Sequence, residues 1–181
     1  MSGLSDLLAG DVVDAARRLL GCRLRSSVDG AACELVLTEV EAYGGGDDPA
    51  SHGHRGRTDR NASMFGPPGT LYVYRSYGIH WCPNVVTGPP GSASAVLLRG
   101  GIPTEGEAVM ARRRGRRNHL ADGPGKLAQA LGITGEHDGL DLLGGGPVRL
   151  LEGGTPPGPI TATPRVGISR ATDRAWRFVA G

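Results

Sequence analysis

The sequence predicts an α+β fold: one compact domain with a mixed or antiparallel curved β-sheet flanked by helices. Three observations carry this. Strand-like and helix-like segments are intermixed without the strand–helix–strand regularity of a parallel α/β protein. No internal repeat or long interior linker divides the 181 residues, a length that suits a single domain over 1–181. The chain has 31 glycines and 13 prolines, so turns and irregular loops join the elements, while 39% hydrophobic residues suffice for a core.

The elements follow in order. "DVVDAARRLL" (11–20) is an amphipathic helix with Asp11 as N-cap and Gly21 as stop. Val12, Val13, Ala16, Leu19 and Leu20 form its apolar stripe. "ACELVLTEVEAY" (32–43) is a strand, and residues 44–69 a long Gly-rich loop. "GTLYVYRSYGIHWCPNVV" (69–86) begins as a strand that Gly78 interrupts. "SAVLLRG" (94–100) is a short buried strand. "TEGEAVMARRRGRR" (104–117) is expected as a helix, because Thr104 and Glu107 have capping-box spacing. "GPGKLAQALGI" (123–133) is a short helix with Pro124 in its first turn. "PVRLLEG" and "TPRVGIS" are later strands, residues 151–164 a surface loop, and "TDRAWRFVAG" closes the chain.

Composition excludes several classes. No 18-residue apolar run exists, so no transmembrane helix is expected. Asp6, Asp11 and Asp14 interrupt the N-terminal apolar residues, so no signal peptide is expected and the protein is placed in the cytoplasm. Cys22, Cys33 and Cys82 are odd in number and lack CxxC spacing, which argues for buried thiols rather than disulfides or zinc. Net charge is only +2, but the basic residues are arginines except for Lys126. Guanidinium forks match phosphate oxygens, although codon bias gives the same composition.

Chemistry concentrates in three places. Strict alternation along "LVLTEVEAY" puts Leu35, Leu37, Glu39, Glu41 and Tyr43 on one face. Two carboxylates there are either solvated charges or a general base facing a cleft; a glycosidase or a metal nuclease would also use such a pair. The loop that follows holds His52, His54, Arg55, Arg57 and Arg60. Its arginines favour an anionic partner, and two histidines two residues apart are a weak metal pattern. Third, six of the eight aromatics lie between Tyr43 and Trp81, three of them in "TLYVYRSYG". Tyrosines suit a core strand, and beside basic loops they also suit base stacking.

Five segments in this order, "EVEAYGGGDDPASHG", "RNASMFGPPGTLYVYRSYGIHWCPNVVT", "AVLLRGGIP", "GPGKLAQALGI" and "PRVGIS", resemble the alkyladenine (3-methyladenine) DNA glycosylase family, from about residue 34 to 170. The resemblance implies a monofunctional base-excision enzyme, a monomer without metal or organic cofactor. Its partner would be double-stranded DNA containing a damaged purine such as 3-methyladenine, 7-methylguanine, hypoxanthine or ethenoadenine. By the same resemblance Glu41 activates water, helped by Arg99 and by the Val166 backbone carbonyl. Ala42, Tyr43, His52, Tyr74 and Asn84 form the base pocket, and Tyr77 fills the gap left by a flipped nucleotide. Arg57, Arg60 and Lys126 are candidates for DNA-backbone contacts. Pro83, Arg75 and Ser76 depart from the apolar residues usual in the family. A glycosylase-lyase would need an amine nucleophile, for which Lys126 is the only lysine. The alternative of a non-catalytic nucleic-acid binder would use the same aromatics and need no Glu41. The run "RRRGRR" (112–117) is read as a solvated helix end rather than a DNA contact.

Overall fold

A computed structural model describes residues 3–181, so the first two positions of the expected 1–181 domain lie outside the described residues. The strands are β1 (Arg23–Ser26), β2 (Cys33–Tyr43), β3 (Leu71–Ser76), β4 (His80–Thr87), β5 (Ser94–Glu105), β6 (Val148–Leu151), β7 (Ile160–Thr163) and β8 (Arg177–Ala180). The helices are α1 (Leu4–Ala9), α2 (Val12–Leu19), α3 (Glu107–Arg114) and α4 (Pro124–Leu131). All pairings are antiparallel, in the order β3-β4-β5-β2-β1-β6. The first half of β2 pairs with β1 and its second half with β8, which also carries β7. Changing partner midway lets the sheet curl around the end of β2.

The α+β expectation holds, with the sheet wholly antiparallel. α2 forms as the pattern predicts: Asp11 Oδ1 accepts from the Val13 and Asp14 amides at 2.9 and 3.1 Å, and Val12, Ala15, Ala16 and Leu19 are buried. α2 packs on β2 and β5, and α4 on β4 and β5. Their contacts, with Leu24, Leu35, Leu98 and Phe178 from the sheet, build one aliphatic core. The three cysteines are free and buried, and burial pushes each thiol up.

One helix is added and two expectations need correction. α1 precedes the helix that the pattern shows, docking by the Gly88 amide donating to Leu8 O at 2.8 Å. β5 runs on to Glu105, so Thr104 is a strand residue: its hydroxyl donates to Glu34 rather than capping a helix. Gly106 turns the chain at φ +75°, where a side chain would clash with the Ala32 carbonyl, and α3 starts only at Glu107. Finally, strand β7 occupies 160–163, inside the expected surface loop, whereas residues 164–169 are irregular.

In the arginine run, Arg112, Arg116 and Arg117 are exposed, as expected of a solvated helix end, but Arg113 and Arg114 are engaged by the fold. Arg113 donates to Ala130 O and Val28 O at 3.1 and 2.9 Å, and Arg114 to Leu120 O at 3.1 Å. These guanidiniums satisfy carbonyls at the ends of α4 and neighbouring loops.

Candidate active site

The site starts from an irregularity in the sheet. Between β2 and β5 the register runs Leu37↔Gly101, Glu39↔Gly100, Val40↔Leu98. Thr38 on β2 and Arg99 on β5 are therefore unpaired extra residues, two adjoining bulges. The bulge on β2 corrects the alternation expected from sequence. Leu35 and Leu37 join Val40 and Ala42 in the core, while Glu39, Glu41 and Tyr43 face the other way. The bulge on β5 aims Arg99 back at both glutamates.

Glu41 has no exposed surface, two hydrogen-bond donors and one ion-pair neighbour. The Tyr43 hydroxyl donates to Oε2 at 2.7 Å, the Val166 amide to Oε1 at 2.7 Å, and Arg99 Nη1 lies 3.4 Å from Oε1. A carboxylate offers about four acceptor positions, so acceptor capacity remains beyond these contacts. Glu39 is bound differently: Arg99 Nε and Arg177 Nε both donate to its Oε1, at 2.9 and 2.7 Å. Burial raises its pKa, but these two arginines outweigh burial and hold it below the ordinary value. Glu39 thus anchors two arginines, whereas Glu41 is held by Tyr43 and Val166 with Arg99 alongside.

A cavity of about 700 Å³ opens above this cluster, lined among others by Tyr43, His52, Tyr74, Asn84, Arg99 and Val166. His52 stands edge-on to Tyr74, ring centres 4.4 Å apart. Its Nδ1 shares a 3.0 Å hydrogen bond with the buried Tyr72 hydroxyl. Burial and the nearby Arg60 charge lower the His52 pKa, so the imidazole is neutral at neutral pH. Burial chiefly raises the Tyr43 and Tyr74 phenols well above the ordinary value, so both rings stay neutral walls. Asn84 is buried, and its amide donates to Tyr72 O and Cys82 O at 3.1 and 3.2 Å.

Beside the cavity, β3 and β4 form a hairpin. The Ile79 amide donates to Ser76 O at 3.0 Å, and Tyr77 and Gly78 between them both have positive φ, as primed hairpin turns require. This lifts the Tyr77 side chain to 91% exposure at the cavity rim. Pro83 is accommodated because β4 stops pairing with β5 at Asn84↔Leu97. Its missing N–H falls on that β5 side, since the Val86 amide, of opposite parity, donates to Thr70 O just before β3. The strands part there and leave the cleft open.

Arg99, Val166, Tyr43, His52, Tyr74 and Asn84 line one cavity with Tyr77 at its rim, and Glu41, itself not a lining residue, lies directly behind Tyr43, Val166 and Arg99. Val166 meets Glu41 through its N–H, where the resemblance implies a carbonyl role toward water. Ala42 does not line the cavity. Its side chain is in the core, its N–H donates to Trp176 O, and its carbonyl accepts from Arg165. Arg57 and Arg60 are exposed on the loop. Lys126 pairs with Asp122 at 2.9 Å and is not a lining residue, so among the described residues no lysine amine stands in the cavity. The second cavity, about 550 Å³, adjoins the first and is lined by Arg55, Arg60, Arg75 and Trp81. Arg75 there lies over the Trp81 ring, 5.3 Å from its centre. Sequence reasoning missed Tyr72 as the partner of His52, Arg177 as the second anchor of Glu39, and the exposed Ile79 beside Tyr77. The face shared by Tyr72 and Tyr74 carried the first of these signals.

Comparison with known proteins agrees with this geometry. The family model described as methylpurine-DNA glycosylase matches residues 6–181. A Rhodopseudomonas palustris (strain BisB18) protein is 51% identical over 172 residues, covering 94% of this chain and 82% of its own. A Frankia casuarinae protein is 54% identical over 155 residues, covering 78% of this chain and 73% of its own. One from Mycobacterium tuberculosis (strain ATCC 25177 / H37Ra) is 48% identical over 180 residues, covering 94% and 86%. All three are provisionally named 3-methyladenine DNA glycosylases. The chain belongs to the methylpurine-DNA glycosylase family.

Proposed function

We propose that this protein is a monofunctional purine DNA glycosylase that flips a damaged purine from duplex DNA and hydrolyses its N-glycosidic bond. The observation that carries this reading is Glu41, buried behind a cavity walled by Tyr43, His52 and Tyr74, with Tyr77 exposed at the rim. A base stacked in a duplex is out of reach, and extruding it costs a few kcal/mol. Tyr77 is free to enter the gap and stack on neighbouring bases, which offsets that cost.

The cavity chemistry fits an alkylated purine. A ring-methylated purine such as 3-methyladenine is cationic, and aromatic faces favour a cation by roughly 0.5–2 kcal/mol. The neutral His52 imidazole adds no opposing charge. Glu41 accepts a proton from water through its remaining acceptor position and opposes the positive charge that builds on the sugar. Arg99, tied to Glu39, keeps the carboxylate in place. The departing base needs little further activation, because cleavage neutralises it.

The test is release of free base from duplexes containing 3-methyladenine, 7-methylguanine, hypoxanthine or 1,N6-ethenoadenine. Release from at least one of them is expected, without a borohydride-trapped covalent adduct. Release of none, or an adduct, contradicts the reading.

A further inference from the structure

Arg165, which donates to Ala42 O, also makes a buried ion pair. Its side chain and that of Asp48 are fully buried. Nη1 donates to Asp48 Oδ2 at 2.5 Å and to Ala42 O at 2.9 Å, and Nη2 to Asp48 Oδ1 at 3.0 Å. The guanidinium carbon also lies 4.7 Å from the Tyr43 ring centre and 5.3 Å from that of Trp176. Only its Nε finds no partner among the described residues. A buried ion pair is a costly way to hold a fold together, and well-packed apolar residues often serve as well. This one sits where orientation matters.

Both uncharged donors on Glu41 are carried by groups that Arg165 touches. Val166, the next residue in the chain, donates its N–H to Oε1. Tyr43, against whose ring the guanidinium lies, donates its hydroxyl to Oε2. The bond to Ala42 O fixes Arg165 to the residue between Glu41 and Tyr43 on β2. One planar group thus sets the irregular segment 164–169 and the Tyr43 ring against the same strand end.

We propose that Arg165 is a positioning residue for Glu41: through Val166 and Tyr43 it aligns the carboxylate for attack, without touching substrate itself. This rests on the reading of Glu41 as the base. Misplacing a catalytic group by about 1 Å costs on the order of 100-fold in rate. Loss of Arg165 therefore slows base release and leaves DNA affinity, which depends on other residues, nearly intact.

Asp48 would keep other partners without Arg165. Its oxygens accept from the Gly44 and Ala50 amides at 3.0 and 3.1 Å, and Arg174 lies 3.7 Å away. Arg165→Met is therefore a usable variant, and Arg165→Lys keeps the charge while losing the fork and the flat face. Single-turnover release with enzyme in excess is compared with the Kd for a duplex holding a stable abasic-site analogue. We expect Arg165→Met to release base about 30-fold or more slowly per folded molecule, with Kd within about threefold of the parent. Arg165→Lys should fall between. Should Arg165→Met fail to fold, Arg165→Lys and Trp176→Leu decide on the same two readouts. A rate within twofold of the parent, or equal losses in rate and affinity, overturns the proposal. The Glu41→Gln variant separates the two inferences. If it releases base like the parent, the reading of Glu41 falls and this proposal with it. If it is inactive while Arg165→Met matches the parent, only this proposal falls.

Discussion

Charge and neutrality are divided among a few side chains. Glu41 accepts from Tyr43 and Val166 with Arg99 3.4 Å away, while Glu39 two residues away accepts from Arg99 and Arg177. His52 is held neutral by burial first and by Arg60 second. Its folded pKa lies below the ordinary value, so it gains a proton only as pH falls below the usual imidazole range. A protonated His52 would repel a cationic purine but not neutral hypoxanthine. The ratio of 7-methylguanine to hypoxanthine release should therefore fall on acidification, and the ratio cancels pH effects common to both substrates. A ratio constant from pH 8 to about pH 5 would contradict this role. Family motifs made Glu41, Tyr43, His52, Tyr74, Asn84 and Arg99 readable from the sequence. Arg165 and Asp48 were not, because 117 positions separate them and no local spacing links them.

At the scale of elements, the bulge at Thr38 decides which faces meet. Alternation along β2 correctly grouped Glu39, Glu41 and Tyr43 on one face but put Leu35 and Leu37 with them. An inserted residue leaves no trace in a period-two pattern. Likewise the capping-box spacing at Thr104 is genuine as a pattern, yet cross-strand pairing of Glu34 with Glu105 overrides it. The basic end of α3 shows the same competition: Arg113 reaches Ala130 O and Val28 O, so it fastens α3 to α4. Arg113→Ala should lower stability by about 1–3 kcal/mol, by leaving half-buried carbonyls unsatisfied. The salt dependence of DNA binding should not change. Thermal unfolding and a salt titration read these two effects separately, and an altered salt slope at unchanged Tm would reverse the assignment.

For the molecule as a whole, the α+β class was legible because apolar segments and turn residues mark its elements, and family resemblance added the site. The curl of the sheet, with β8 joining the end of β2, was not legible, since long-range pairing has no local signature. Net charge of +2 gives little overall attraction for DNA, so binding must rest on where the arginines lie. Arg57 and Arg60 are exposed on the loop that lines both cavities, and neither has an ion-pair partner among the described residues. Replacing both with Ala should make the slope of log K against log salt shallower by about two. An unchanged slope would remove them from the interface.

The central claim is that Glu41 performs the hydrolysis inside a pocket that binds the flipped base without it. The most direct measurement is single-turnover base release and equilibrium binding by the parent and Glu41→Gln, on one duplex carrying a damaged purine that the parent excises. The account predicts a loss of release of about 1,000-fold or more in Glu41→Gln, with affinity within a few fold of the parent. Release by Glu41→Gln at a rate near the parent's would contradict it.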